Sequence, residues 1–296
     1  MTEGRLCPVC GANSFSGLFS AKDHLVSGER FLIIKCDACG FALTADPPAE
    51  KEIGRYYLSE DYISHSDKKQ DLTGYFYHLA RNFMLRRKHR LVSGVTRKDR
   101  GTLLDFGSGT GYFASFMQKK GWEVTGIELN EQARNYSVSR FGVRALAPET
   151  VKDIPERSAD CITFWHVLEH LYDPAGWLME VKRILKDDGM CIIAIPNLDS
   201  ADAKWFADRW AALDVPRHLW HFSPESLIRF VVNSGFKCTK IRALPLDIFY
   251  ISALSYRNQG RRLSLLRGIL TGTFLTAASL FRKNSASSLI YVISKV

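Results

Sequence analysis

Four cysteines stand as two close pairs, Cys7-Pro8-Val9-Cys10 and Cys36-Asp37-Ala38-Cys39, with twenty-five residues between Cys10 and Cys36. Each CxxC turn presents two thiolates from one tight loop, and two such turns complete a closed tetrahedral S4 site for zinc. Gly11 and Gly40 follow the second cysteine of each pair, where the turn needs a permissive backbone. A redox dithiol is the rival, but two pairs in a segment without a βαβ pattern disfavour it. A closed S4 site leaves no open coordination position. Cys7, Cys10, Cys36 and Cys39 are therefore expected to hold a structural Zn2+ outside any catalysis. The second cluster is a glycine-rich turn, Asp105-Phe106-Gly107-Ser108-Gly109-Thr110-Gly111. Its backbone N–H groups at the start of a helix make an anion-binding arrangement. Glu128, twenty-three residues beyond Asp105, can accept hydrogen bonds from both hydroxyls of a ribose. Gly109, Gly111 and Ala114 also satisfy the GxGxx[G/A] spacing of a dinucleotide binder, so the turn alone does not choose the nucleotide.

The segments around these residues say what must position them. Residues 1–45 are short alternating pieces around the cysteines, with a strand expected at 31–35 and punctuation at Asp46-Pro47-Pro48. From about 50 to 100 the pattern turns helical and aromatic. Leu72, Phe76, Leu79 and Phe83 recur at helical spacing and are expected to pack onto the main domain. Strands are predicted at 102–106, 123–127, 143–146, 160–164, 190–195, 236–243 and 288–296, with helices at 112–120, 131–141, 174–185 and 224–234. Strands alternating with helices give an α/β class with a doubly wound, Rossmann-like, largely parallel sheet. The expected organisation is a zinc ribbon over 1–45, a helical linker or substrate-side cap over 46–100, and the main domain over 101–296 with a helical insertion at about 250–285.

Charge is local. The chain carries +9, yet residues 81–100 hold eight basic side chains against Asp99, and residues 251–296 hold seven with no acid. The rest is net acidic, so an anionic partner such as phosphate, lipid headgroup or nucleic acid would meet one of two patches. The uncharged run over residues 268–281 is too short to span a bilayer. Leu266, Leu270, Phe274 and Phe281 fall on one helical stripe flanked by Arg261, Arg262, Arg267, Arg282 and Lys283. That suits a helix lying on an anionic membrane, with a pocket cap or a dimer face as the alternative. Cys161, Cys191 and Cys238 sit singly in apolar contexts and read as core thiols. The start carries no apolar signal region, so the expected location is cytoplasmic, with peripheral attachment at the inner membrane surface.

Four motifs in order over residues 102–243 resemble class I S-adenosylmethionine-dependent methyltransferases of the type 11/12/23 kind. Leu103-Leu104-Asp105-Phe106-Gly107-Ser108-Gly109-Thr110-Gly111 resembles motif I, and Val124-Thr125-Gly126-Ile127-Glu128 the segment after it. Trp165-His166-Val167-Leu168-Glu169-His170-Leu171-Tyr172-Asp173-Pro174 is similar to the fourth-strand motif, and Leu185-Lys186-Asp187-Asp188-Gly189 with Ile195-Pro196-Asn197 to the fifth. The resemblance implies a seven-stranded sheet whose terminal strand is antiparallel. It implies S-adenosyl-L-methionine as cofactor, with Gly107, Ser108, Gly109 and Gly111 at the methionine moiety and Asp105 orienting that turn or meeting the methionine amino group. Glu128 would take the ribose, Leu129 would flank adenine, and Trp165 and His166 would line the methyl-transfer end. Where the family often places an acid for the adenine amine, Ala145-Leu146-Ala147-Pro148 stands instead, and Glu149 is the nearest acid.

Methyl transfer from a sulfonium rests mostly on alignment, with a positioned base added where the acceptor is a hydroxyl or an acidic carbon. The candidates are His166, His170, His218 and His221. His218 and His221 are favoured because their loop falls at the carboxyl edge of the sheet, with Arg217 as a possible anion ligand. The resemblance extends to C-methyltransferases of sugar biosynthesis, so the expected acceptor is a small molecule or envelope-linked: a nucleotide sugar or a lipid-linked intermediate. The alternative is an RNA methyltransferase that docks rRNA through the zinc ribbon and the basic helix. A non-catalytic binding protein is disfavoured because the cofactor motifs are intact.

Overall fold

Residues 6–57, 72–279 and 284–296 are described by the computed structural model of the chain. The strands are β1 (Phe15–Lys22), β2 (Arg30–Cys36), β3 (Ala42–Thr44), β4 (Thr102–Phe106), β5 (Glu123–Ile127), β6 (Arg144–Leu146), β7 (Ala159–Trp165), β8 (Leu185–Pro196), β9 (Trp220–His221), β10 (Phe236–Ala243) and β11 (Ser288–Lys295). The α-helices are α1 (Leu72–Thr96), α2 (Tyr112–Lys119), α3 (Glu131–Phe141), α4 (Pro174–Ile184), α5 (Ala201–Phe206), α6 (Pro224–Asn233), α7 (Asp247–Asn258) and α8 (Ser264–Ser279).

Local chemistry sets many of these boundaries. The Asn130 side chain caps α3 by accepting from the Ala133 N–H, and Gly142 ends that helix with φ of 65°. Asp173 and Pro174 start α4, and a Ser223–Ser226 capping box starts α6. Strands β4, β7 and β8 are buried on both faces over residues 103–106, 159–164 and 191–195, as a sheet covered by helices on each side demands. The large sheet runs β10-β11-β8-β7-β4-β5-β6. Its β4, β5, β6, β7 and β8 are parallel, and β11 is antiparallel to both β8 and β10. The seven-stranded α/β sheet and its antiparallel last strand are as the motifs implied.

Two features differ from the sequence reading. The first concerns α1, where Leu79 and Phe83 are exposed. The face that packs on the sheet carries Leu85, Leu91 and Val92 instead, sharing a core with Leu103, Met117, Ile192 and Val292. The side chains of Leu72 and Phe76 lie outside the described residues, as do residues 58–71 and 280–283, which include Phe281, Arg282 and Lys283. The second concerns the cysteine segment, whose sheet has the order β1-β2-β3-β9 and takes its fourth strand from residues 220–221. Cys7, Val9, Cys36, Phe41 and Leu43 belong to one apolar cluster with Phe164, Leu219 and Phe230 of the main domain.

Candidate active site

The glycine turn leaves β4 with Gly107, Gly109 and Gly111 all at positive φ (63°, 54° and 82°), a backbone that L side chains rarely adopt. Gly107 and Ser108 donate to the Ile127 carbonyl at 2.7 and 3.2 Å, tying the turn to the end of β5. Glu128 holds it from the other side, accepting from the Gly109 N–H and the Asn130 N–H, each at 2.8 Å. Asp105 is buried beneath the turn and accepts from Thr163 Oγ1 at 2.7 Å. Burial raises its carboxyl to about 7, against the pull of Thr163 and Lys88. Lys88 of α1 reaches inward over the Trp165 ring, 4.1 Å from its centroid. Burial lowers this ammonium to about 8, opposed by Asp105 and Asp247.

A cavity of about 540 Å³ opens beyond the carboxyl edge of the sheet, lined among others by His166, His170, His218, Trp210, Asp214 and Asp247. His166 sits in the left-handed region with φ of 59°, a strain that aims its ring between two acids. Nδ1 is 3.4 Å from Glu169 Oε1, and Nε2 is 3.2 Å from Asp247 Oδ2. Desolvation works against its charge, but the two carboxylates outweigh it and raise His166 to about 10. His166 is thus a proton-bearing donor at neutral pH, not the base expected from the sequence.

The other histidines divide sharply. His218 Nδ1 is 2.9 Å from the Ala212 carbonyl, which can only accept, so Nδ1 donates there, and Nε2 lies on the other side, 3.9 Å from Asp214 Oδ2. His170 donates likewise from Nδ1 to the Arg217 carbonyl at 3.0 Å, and burial followed by His218 lowers it to about 4. Glu169 is 1% exposed, and its carboxylate is faced by the His166 ring at 3.4 Å. The ligand atoms of Glu169, His170 and His218 lie within 4.8 Å of one another, a set that could hold a divalent cation. His221 lies apart from them. It is buried in β9 with Nε2 3.0 Å from Thr44 Oγ1, and burial lowers it to about 3. Thr44 spends its hydroxyl proton on the His218 carbonyl, so His221 donates to Thr44 and takes no part in the cavity.

Arg217 is not an anion ligand. It is 1% exposed and donates to the Tyr56 carbonyl (2.7 Å), Asp23 (3.0 Å) and Asp214 (2.8 Å), tying the cavity loop to the N-terminal segment. The four cysteines converge as their spacing implied: Cys7 and Cys39 Sγ are 3.6 Å apart, Cys10 and Cys36 3.5 Å. Tetrahedral thiolates around zinc stand about 3.8 Å apart, so the set fits that ion.

A family profile described as a methyltransferase domain, Methyltransf_23, matches residues 76–241, more than half of the chain. The chain belongs to this methyltransferase family. A probable S-adenosylmethionine-dependent methyltransferase of Mycobacterium tuberculosis is 27% identical over 149 residues, 50% of this chain and 52% of that protein. A ubiquinone biosynthesis O-methyltransferase of Alkalilimnicola ehrlichii is 32% identical over 104 residues, 32% of this chain and 41% of that one. The match thus spans about half the length of these curated relatives. Among solved structures, an Archaeoglobus fulgidus SAM-dependent methyltransferase has a TM-score of 0.50 at 18% identity, covering 76% of this chain and all of that one. The Burkholderia thailandensis 1,6-didemethyltoxoflavin-N1-methyltransferase reaches 0.51 at 16%, covering 93% and 100%. These two likenesses show the fold.

The methyltransferase domain fits S-adenosylmethionine at its turn. A Cβ on Gly107 or Gly111 would strike Val167 or Ser137, whereas one on Gly109 would enter open space, so the cradle opens at Gly109. Ser108 Oγ is buried without a hydrogen-bond partner among the described residues. Leu129, just past the Glu128 carboxylate, is 73% exposed and offers an apolar surface for a base. Trp165 packs edge-on to Phe113 rather than lining the large cavity, and its buried Nε1 has no hydrogen-bond partner among the described residues. Lys88 and Asp247 escaped the sequence reading. Lys88 is one of eight basic residues in its stretch, with nothing to mark it as the inward one. Asp247 left a usable signal, as the last acidic residue of the chain.

Proposed function

We propose that the protein transfers a methyl group from S-adenosylmethionine to an acceptor seated in the His166–His218 cavity, and that the acceptor is a small or lipid-linked molecule bearing a hydroxyl or an acidic carbon. The observation that carries the acceptor reading is the cavity, which brings His166, held between two carboxylates, together with His218, whose Nδ1 is spent on a backbone carbonyl. When bound, S-adenosylmethionine supplies a methyl group on a sulfonium, which leaves as part of a neutral thioether. The chain's task is then alignment and proton handling. Gly107–Gly111 and Glu128 would hold the cofactor, with Asp105 and Lys88 fixing the turn from beneath. His166 would donate to an acceptor oxygen and orient it, while His218 would take the acceptor's proton at Nε2. Relatives named for O-methylation in ubiquinone biosynthesis support a hydroxyl acceptor.

The cysteine cluster would hold structural zinc. No described helix is long and apolar enough to cross a membrane. The rRNA reading draws less support, because the basic 81–100 stretch spends part of its charge internally. Lys88 faces Asp105, and Lys98 pairs with Asp160 at 2.6 Å and Asp188 at 3.1 Å. Calorimetry with S-adenosylmethionine tests the cofactor, and labelled transfer to nucleotide sugars, lipid-linked sugars and rRNA tests the acceptor. Heatless titrations would defeat the enzymatic reading. Transfer to rRNA alone would replace the acceptor class.

A further inference from the structure

Helix α8 is built inside out. A helix docked on a globular domain normally turns its large apolar side chains inward. In α8 the buried positions are Gly268, Gly272 and Leu275, on one face, whereas Leu263 just before the helix and Leu265, Leu266, Ile269, Leu270 and Phe274 within it are 45–71% exposed. The inward glycines bring α8 hard against α7. A Cβ on Gly268 would press into the Ala253 backbone, and one on Gly272 into Phe249. Thr271 Oγ1 and the Tyr256 hydroxyl lock the same seam at 2.9 Å. The outward apolar stripe is therefore fixed by close packing. Trp205 of α5, 55% exposed with its ring 6.3 Å from Phe274, extends the patch. Single exposed leucines are ordinary on protein surfaces, but a contiguous stripe of this kind marks an interaction face.

The occupant follows from the rim. Arg261, Arg262 and Arg267 are exposed beside the stripe, and no acidic residue follows Asp247 in the chain. We propose that α8 lies flat on an anionic lipid bilayer. Leu266, Leu270, Phe274 and Trp205 sit at the acyl boundary, and the three arginines meet headgroup phosphates. A second copy of the chain would oppose this stripe with an equally basic segment, a poor match. The placement also bears on the acceptor. Tyr250, Ile251 and Leu254 of α7 line the cavity, while Phe249, Ala253 and Tyr256 take α8. One helix layer, about 10 Å, thus separates the cavity wall from the bilayer. A lipid-linked acceptor could keep its tail in the membrane and present its head to His166 and His218. That last step rests on the proposed methyl transfer, but docking itself does not.

Docking is tested by sedimenting the full chain with phosphatidylcholine vesicles made with and without phosphatidylglycerol. Binding should require phosphatidylglycerol and weaken with added salt. Leu270→Asp with Phe274→Asp should lower the partition coefficient at least about tenfold, with thermal midpoint and S-adenosylmethionine binding unchanged. Arg261→Glu with Arg262→Glu should remove the preference for phosphatidylglycerol. A chain that stays in the supernatant at low salt overturns the proposal. So does a dimer in sedimentation velocity that the same apolar substitutions dissolve. Vesicle binding without methyl transfer to any acceptor would uphold docking and sink the enzymatic reading instead.

Discussion

Gly107 and Gly109 share a left-handed backbone and differ in surroundings, which separates folding from cofactor binding at single-residue scale. Gly109→Ala puts its methyl into open space, so the fold should lose only about 1 kcal/mol of stability, to added backbone strain, while S-adenosylmethionine affinity falls at least about tenfold. Gly107→Ala meets Val167 and should lower the melting midpoint as well as the affinity. Calorimetry and thermal melts on the two variants check this pair of outcomes. For the proton, His218→Asn should cut kcat about 10²–10⁴-fold with cofactor affinity intact. The sequence favoured His218 and His221 together, because spacing does not say which nitrogen is spent. Only the carbonyl of Ala212 on one ring and Thr44 on another distinguish His218 from His221. His166 adds a pH signature. Its folded imidazole binds a proton more tightly than the unfolded one, with about 10 set against 6.5. Its contribution to stability is therefore complete below about pH 6.5 and lost as pH rises to about 10. Denaturant melts across that window should show the decline, and His166→Asn should flatten it.

At the scale of elements, the loop from the short 3-10 turn at Ala211–Leu213 to β9 carries His218 and is held by one side chain. Arg217 bridges Asp214 on its own loop, Asp23 after β1, and the carbonyl of Tyr56. Arg217→Met removes the cation and leaves two acids facing each other in the interior. Breaking such a buried set costs about 3–5 kcal/mol, far more than a surface pair. Urea melts should show that loss, and Arg217→Lys should restore little of it, because one ammonium cannot reach all three acceptors. The sequence made this arginine look like a ligand for anions because its acids lie 3 and 194 residues away. The strands and helices of the sheet were far more legible, since apolar runs, Pro174, Gly142 and the Ser223 cap act within a few residues of themselves. The outward stripe of α8 shows the same divide. Its period was readable, but its direction depends on two glycines finding α7.

For the whole molecule, the question is whether the cysteine segment is an appendage or part of the main fold. Spacing alone presented it as a clip that ends near residue 45, and the convergence of its four cysteines was fully readable. Its integration was not, because β9 and the shared core arrive from residues 219–230. Cys36 and Cys7 are buried in the cluster that also contains Phe164, Leu219 and Phe230, and β3 pairs with β9 just beyond the cavity loop. Loosening the S4 site therefore loosens the wall that carries His218. Cys36→Ser, or chelator treatment, should lower the melting midpoint of the entire chain by about 5 °C, for a loss of about 3 kcal/mol. The transition should stay single in calorimetry, and methyl transfer should fall with it. An independent ribbon would behave otherwise, melting as an early, separate transition while S-adenosylmethionine binding and the main peak stay in place. That outcome would return the cysteines to the status of a detachable clip and remove their connection to the cavity.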